Sequence, residues 1–266
     1  MKLKITTFLL FSIIISTPAQ TQLVEEFEQE DSSCCLPIFA QRLVNQLEDW
    51  NQLSRYKDEN QELKKKPYDP NRVLFMGDSI TDFWKLAEYF PGKPYVNRGI
   101  SGQTTPQMLV RMYPDVIVHK PAVMVVLAGI NDISQNTGPS TAEMVEQNIM
   151  AMTDIAQHNG IKVILCSILP ISDYAFIKMQ ASGKKNPYIK APVTATHPPE
   201  DILKLNAWMK DYASKVNAVY VDYLSAMVDE KGFLKENLSE DGIHPNAEGY
   251  KIMTKIVEEA IEKALN

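Results

Sequence analysis

The sequence predicts an α/β fold, a parallel sheet sandwiched between helices. Two observations carry this. Short apolar runs recur at 72–76, 95–97, 123–127, 162–167 and 218–221, and amphipathic stretches lie between them at 81–89, 105–119, 141–159 and 201–216. A last amphipathic stretch occupies 247–265. Strand and helix in alternation build βαβ units, whose crossovers cover both faces of the sheet. No internal repeat or low-complexity segment interrupts the rhythm, so the alternating region reads as one domain.

The elements follow in order. Lys2 and Lys4 precede an apolar run at 8–15, and Ser16, Thr17, Pro18 and Ala19 come after it. That order is a positive n-region, a short h-region and a small-residue cleavage site, so residues 1–19 read as a cleaved secretory leader. The run is short for a membrane span, and an uncleaved anchor is the alternative. Residues 20–69 read as an N-terminal helical extension, with Phe39, Leu43, Leu47, Trp50 and Leu53 three or four apart. Pro67 and Pro70 end it. Residues 70–266 then form the main domain, in which the Val-Met-Val-Val-Leu run at 123–127 reads as the most buried strand. Residues 171–199 carry four prolines, Lys184, Lys185 and Asn186 without a clear period, and read as a long loop. Loops of that length in compact domains are usually functional.

Composition excludes some partners. The 266 residues carry a net charge of −6, and loss of Lys2 and Lys4 would take it to about −8. No basic face for nucleic acid or an anionic membrane is implied. Of three cysteines, Cys34 and Cys35 are adjacent, and Cys166 sits in an apolar run as a small hydrophobe. There is no Cys-x-x-Cys pair and hence no sign of a disulfide framework or zinc ribbon.

Four polar clusters fall at the carboxyl ends of the expected strands, where open parallel sheets place their sites. They are Gly77-Asp78-Ser79, the stretch from Asn97 to Gly102, Gly129-Ile130-Asn131-Asp132, and Asp241-Gly242-Ile243-His244. Singly, each has an ordinary reading: Ser79 as a helix cap, Gly99 and Gly102 as turn glycines, Asn131 and Asp132 as turn formers, His244 as a surface residue. His119, His158 and His197 keep that surface reading. Jointly the clusters supply what acyl transfer needs: a nucleophile (Ser79), a base (His244), an orienting acid (Asp241) and oxyanion donors. The donors would be the N–H groups of Ser79 and Gly99 and the Asn131 amide, with Asp78 and Asp132 supporting the turns.

The four blocks, in this order, resemble the SGNH hydrolase superfamily of GDSL-type esterases and lipases, with Ile80 in place of the leucine of the family name. The resemblance covers roughly residues 70–265 and implies a flavodoxin-like three-layer sandwich with a five-stranded parallel sheet. It also implies the roles just given to Ser79, Gly99, Asn131, His244 and Asp241. The α/β-hydrolase elbow is missing, because Gln103 stands where the last glycine of G-x-S-x-G belongs. The expected activity is a secreted or periplasmic serine esterase on short-chain, acetyl-type esters of carbohydrates or small molecules. It would need no metal or cofactor and no nucleic-acid partner, and would not insert stably in a membrane. A lysophospholipase is the runner-up, with Phe83, Trp84, Tyr174 and Phe176 lining an acyl pocket. From other classes come a metal-dependent phosphoesterase with Asp78, Asn131, Asp132 and His244 as ligands, and a non-catalytic carbohydrate-binding relative.

Overall fold

The computed structural model describes residues 47–183, 189 and 191–266. Cys34, Cys35, Phe39, Leu43 and the leader lie outside them. Residues 49–266 form one compact unit.

Five strands make a single parallel sheet in the order β2-β1-β3-β4-β5. They are β1 (Val73–Gly77), β2 (Tyr95–Gly99), β3 (Val123–Leu127), β4 (Lys162–Cys166) and β5 (Val219–Val221). This is the flavodoxin-like order, and it confirms the expected sandwich. All of β1 and β3 is buried, because helices cover both faces. On β1, Leu74 and Met76 enter one core with Met108, Ile149 and Leu205, while Val73 and Phe75 enter the other with Trp84, Met253 and Val257. Alternate side chains of a strand point to opposite faces, so one apolar run feeds two cores. Cys166 is fully buried, and burial pushes its thiol up to about 12.

Eleven α-helices are found among the described residues. α1 (Lys57–Lys65) comes before the sheet. α2 (Ser79–Asp82) and α3 (Leu86–Tyr89) follow β1, and α4 (Thr105–Val110) and α5 (Met112–Asp115) follow β2. α6 (Ile130–Ile133) and α7 (Ala142–His158) follow β3, and α8 (Tyr174–Ser182) and α9 (Pro199–Lys215) follow β4. α10 (Tyr223–Met227) and α11 (Ala247–Leu265) close the chain.

Three expectations are corrected. The single helices expected at 81–89 and 105–119 are each broken. The Asn97 amide donates to the Thr81 and Trp84 carbonyls at 2.6 and 2.9 Å, ending the first turn. Arg111 leaves helical geometry between α4 and α5, and a 3₁₀ turn completes the stretch at Ile117–His119. The segment 171–199 is not loop throughout, since α8 and a 3₁₀ turn at Val193–Ala195 occupy part of it. None of the residues of α8 is buried, so no apolar period betrays it. Asp173 joins the ends of this excursion by accepting from Thr194 N at 3.0 Å and Thr194 Oγ1 at 2.6 Å. Finally, Leu47, Trp50 and Leu53 are exposed, and the buried face of the extension is Tyr56, Asn60 and Leu63.

Candidate active site

β1 pairs with both β2 and β3, so the chain turns opposite ways from it, and the crevice at such a switch point is where ligands bind. Ser79 stands there. Asp78 Oδ1 caps α2 by accepting from Ile80 N at 3.0 Å, which leaves Ser79 as the first helical residue. Its side chain is therefore free of the capping role. Ser79 Oγ lies 2.8 Å from His244 Nε2, and His244 Nδ1 lies 2.6 Å from Asp241 Oδ2.

Three residues of separation between acid and base is explained by a tight turn. Asp241 Oδ1 accepts from the backbone N–H groups of Ile243 at 2.9 Å and His244 at 2.8 Å, so the carboxylate holds its own loop. The Gly242 carbonyl takes Ser172 N at 2.9 Å and ties that loop to the end of the β4 segment. Burial pushes the Asp241 carboxyl up, but the hydrogen bonds from His244 and the loop outweigh it and hold it well below the usual range. Burial likewise works to lower His244, and the Asp241 hydrogen bond and charge overcome it, leaving the imidazole raised above 6.5. Asp78 is fully buried with Oδ2 unpartnered, and desolvation lifts it to about 7 despite the Ile80 hydrogen bond and the nearby His244.

Asn131 sits in the first turn of α6. Its Nδ2 donates to the Gln103 carbonyl at 3.0 Å and its Oδ1 accepts from Asn136 Nδ2 at 2.8 Å. Two fixed points set the amide plane and leave one N–H uncommitted. Asp132 points elsewhere, accepting from Thr105 N at 3.0 Å and Thr105 Oγ1 at 2.6 Å, and so pins the start of α4. With Asp132 committed to Thr105, the four-residue ligand set weighed for a metal is not assembled. No group of three or more His, Cys, Asp and Glu side chains placed to hold a metal ion occurs among the described residues.

Gly99 requires a correction. Its N–H donates to Asn97 Oδ1 at 2.8 Å and is not open to an oxyanion. The glycine serves packing instead: a Cβ there would fall on the backbone of Thr81 and Asp82. Gly102 has the open N–H, with no partner among the described residues, in an exposed turn at φ 78°. The next residue, Gln103, carries the carbonyl that holds Asn131. Gly99→Ala should therefore cost about 1–3 kcal/mol of stability through overpacking, whereas a Cβ at Gly102 meets open space and is opposed only by the left-handed backbone there. Thermal melting of Gly99→Ala tests this, and a wild-type melting temperature would contradict it.

The other expected residues divide. Phe83 is exposed with its ring centroid 5.4 Å from that of His244. Trp84 is core, edge-on to Phe75 at 5.6 Å. Tyr174 bonds Asp229 at 2.6 Å and packs on Phe233. His158 is exposed as expected, but His119 and His197 are buried. Burial and nearby cations hold His119 down to about 4, so it stays neutral while its Nε2–H donates to Asn60 Oδ1 at 2.9 Å. Beside His244 opens a cleft of about 690 Å³, lined by Ile189, Ala191, Val193, Glu240, Ile243 and Asn246.

The GDSL-like Lipase/Acylhydrolase family matches residues 75–252. The chain belongs to this family. An acylhydrolase candidate from Bacteroides fragilis is 38% identical, covering 82% of this chain and 99% of that one, with TM-score 0.71. A GDSL-like lipase from Bacteroides thetaiotaomicron is 37% identical, covering 80% and 98%, with TM-score 0.69. An acetyl-xylooligosaccharide esterase from Geobacillus, 21% identical over 71% of this chain and 93% of its own, shares the fold at TM-score 0.54. The lipoprotein YqeF of Bacillus subtilis is 29% identical over 118 residues, which span 37% of this chain and about half (49%) of that curated relative. Membership in the GDSL-like family makes this protein a hydrolase acting on esters. Among the described residues no helix is long and apolar enough to cross a membrane.

Proposed function

We propose that the chain is a serine esterase that works through an acyl-enzyme. The observation that carries this reading is the unbroken line Ser79 Oγ, His244 Nε2, His244 Nδ1, Asp241 Oδ2, with links of 2.8 and 2.6 Å, at the sheet's switch point. His244 takes the Ser79 proton as Oγ attacks the ester carbonyl, and the imidazolium is held by Asp241. The negative oxygen of the tetrahedral intermediate is met by Ser79 N–H, Gly102 N–H and the uncommitted Asn131 Nδ2–H. His244 protonates the leaving alcohol, and water then repeats the steps to free the acid.

Short acyl groups on carbohydrates or small alcohols are the substrates this reading favours. The open cleft beside His244 gives a polar alcohol room and a carboxylate partner at Glu240. The fold shared with an acetyl-xylooligosaccharide esterase supports the same choice. The leader-like residues 1–19 and the lipoprotein name of the YqeF relative support export to the envelope or beyond. Hydrolysis rates across p-nitrophenyl esters of rising chain length, beside acetylated sugars, test the acyl preference. A maximum at long chains would overturn the reading in favour of a lysophospholipase.

The protonation states dictate a pH profile. His244 must be neutral to accept the Ser79 proton, so kcat/KM should rise with pH through its raised pKa, with a midpoint above 6.5. Asp241→Asn removes the interaction that raises it, and the midpoint should move to lower pH while the plateau falls. An unmoved midpoint would show that another group controls the limb.

A further inference from the structure

We propose that Gln103 is a positioning residue for the oxyanion hole, held in place by residues 50–56, a strap that precedes the span matched by the family. The inference rests on Asn131 being an oxyanion donor. Every hydrogen-bonding group of Gln103 is committed, and the residue is buried. Its N–H donates to the Ile100 carbonyl at 3.2 Å, and its own carbonyl accepts from Asn131 Nδ2 at 3.0 Å. Its Oε1 accepts from Arg111 Nε at 2.6 Å. Its two Nε2 protons go to the strap, to the Asn51 carbonyl at 3.1 Å and Gln52 Oε1 at 2.9 Å.

Arg111 carries the fixation to the sheet. It is fully buried, and besides Gln103 it donates to the carbonyls of Gly77 at 3.3 Å and Arg98 at 2.7 Å and pairs with Asp115 at 2.9 Å. Gly77 ends the strand before the nucleophile and Arg98 precedes Gly99, so one guanidinium fixes Gln103 against the ends of both strands. The strap is tied at two more points, one at the end of β2 and one on α4. The Tyr56 hydroxyl donates to the Gly99 carbonyl, and Gln107 Nε2 donates to the Trp50 carbonyl at 2.5 Å. Gly102, with its open N–H, lies between these anchors.

An exposed turn carrying a positive-φ glycine has little stiffness of its own. A donor displaced by an ångström loses most of its value to a developing charge. Gln103 supplies that stiffness through the carbonyl that orients Asn131, although its side chain does not itself face the substrate.

The test is a double-mutant cycle read in kcat on p-nitrophenyl acetate, well below the melting temperature. Asn131→Ala alone first checks the donor role; if it keeps wild-type kcat, the oxyanion reading fails and takes this inference with it. Given the loss, Gln103→Leu should lower kcat about tenfold in the wild type, with KM within about twofold. In the Asn131→Ala background the same change should cost clearly less than in the wild type, because one of the donors it positions is gone. Equal losses in both backgrounds, or no loss in the wild type, would overturn the proposal, whatever the melting temperatures. If Gln103→Leu does not fold, Gln103→Glu carries the same cycle, since it keeps an acceptor for Arg111 and gives up both donors to the strap.

Discussion

Ser79→Ala is expected to lower kcat about 10⁶-fold, the scale seen when a triad nucleophile is removed, and to leave the fold intact. Both halves follow from where Ser79 sits. Its Oγ is the atom that would bond the acyl carbon, and no other hydroxyl is shown against His244 Nε2. Its loss removes one small polar group beside a half-buried imidazole, which solvent can then hydrate. The start of α2 does not suffer, because Asp78 provides its cap. Melting temperature and circular dichroism should therefore match wild type. A fluorophosphonate probe should label wild type once, at Ser79, and the variant not at all. Ser101 is the internal control, since its hydroxyl donates to Asp82 Oδ2 at 2.7 Å and no histidine faces it. Labelling at Ser101 would overturn the assignment of the nucleophile.

Asn131→Ala is expected to lower kcat and kcat/KM by similar factors of about 100 to 1000, with KM little changed. The reason is where charge develops: the amide N–H that Gln103 leaves free gains most when the carbonyl oxygen turns negative. Asp132→Ala is the informative comparison. Asp132 accepts from the backbone and hydroxyl of Thr105, so its removal should lower the melting temperature and spare the turnover of the folded fraction. Kinetics and melting measured on both variants separate the roles. An Asn131→Ala enzyme that keeps more than about a third of wild-type kcat would end the donor assignment, being far above the loss expected.

Much of this architecture was legible in the residues. A strand buried on both faces must be apolar throughout, so the runs at 72–76 and 123–127 announced β1 and β3 to within a residue. The Asp241–His244 pair was legible because a tight turn brings residues three apart into contact, and the acid cages its own loop. Long amphipathic helices such as α7 and α11 were legible through the period of their buried faces. By contrast, α8 packs no residue into the core and so left no period to read.

What the residues could not decide was which hydrogen-bonding groups stay open after folding. Gly99 and Gly102 are alike in type and three apart, yet the N–H of one is taken by Asn97 Oδ1 and the other is free. His119 looked like a surface histidine near a helix end, and Asn60, fifty-nine positions earlier, makes it a neutral buried donor. Gln103 carried no signal, because its partners at Asn51, Arg111 and Asn131 come from three separate segments. The sequence by itself determined the sheet, its helical layers and the chemical types available at its carboxyl edge, since burial and local turns depend on nearby residues. Only the tertiary structure decided which of those groups stay open, because an N–H or carbonyl is spent or left open by neighbours that distant chain segments bring to it.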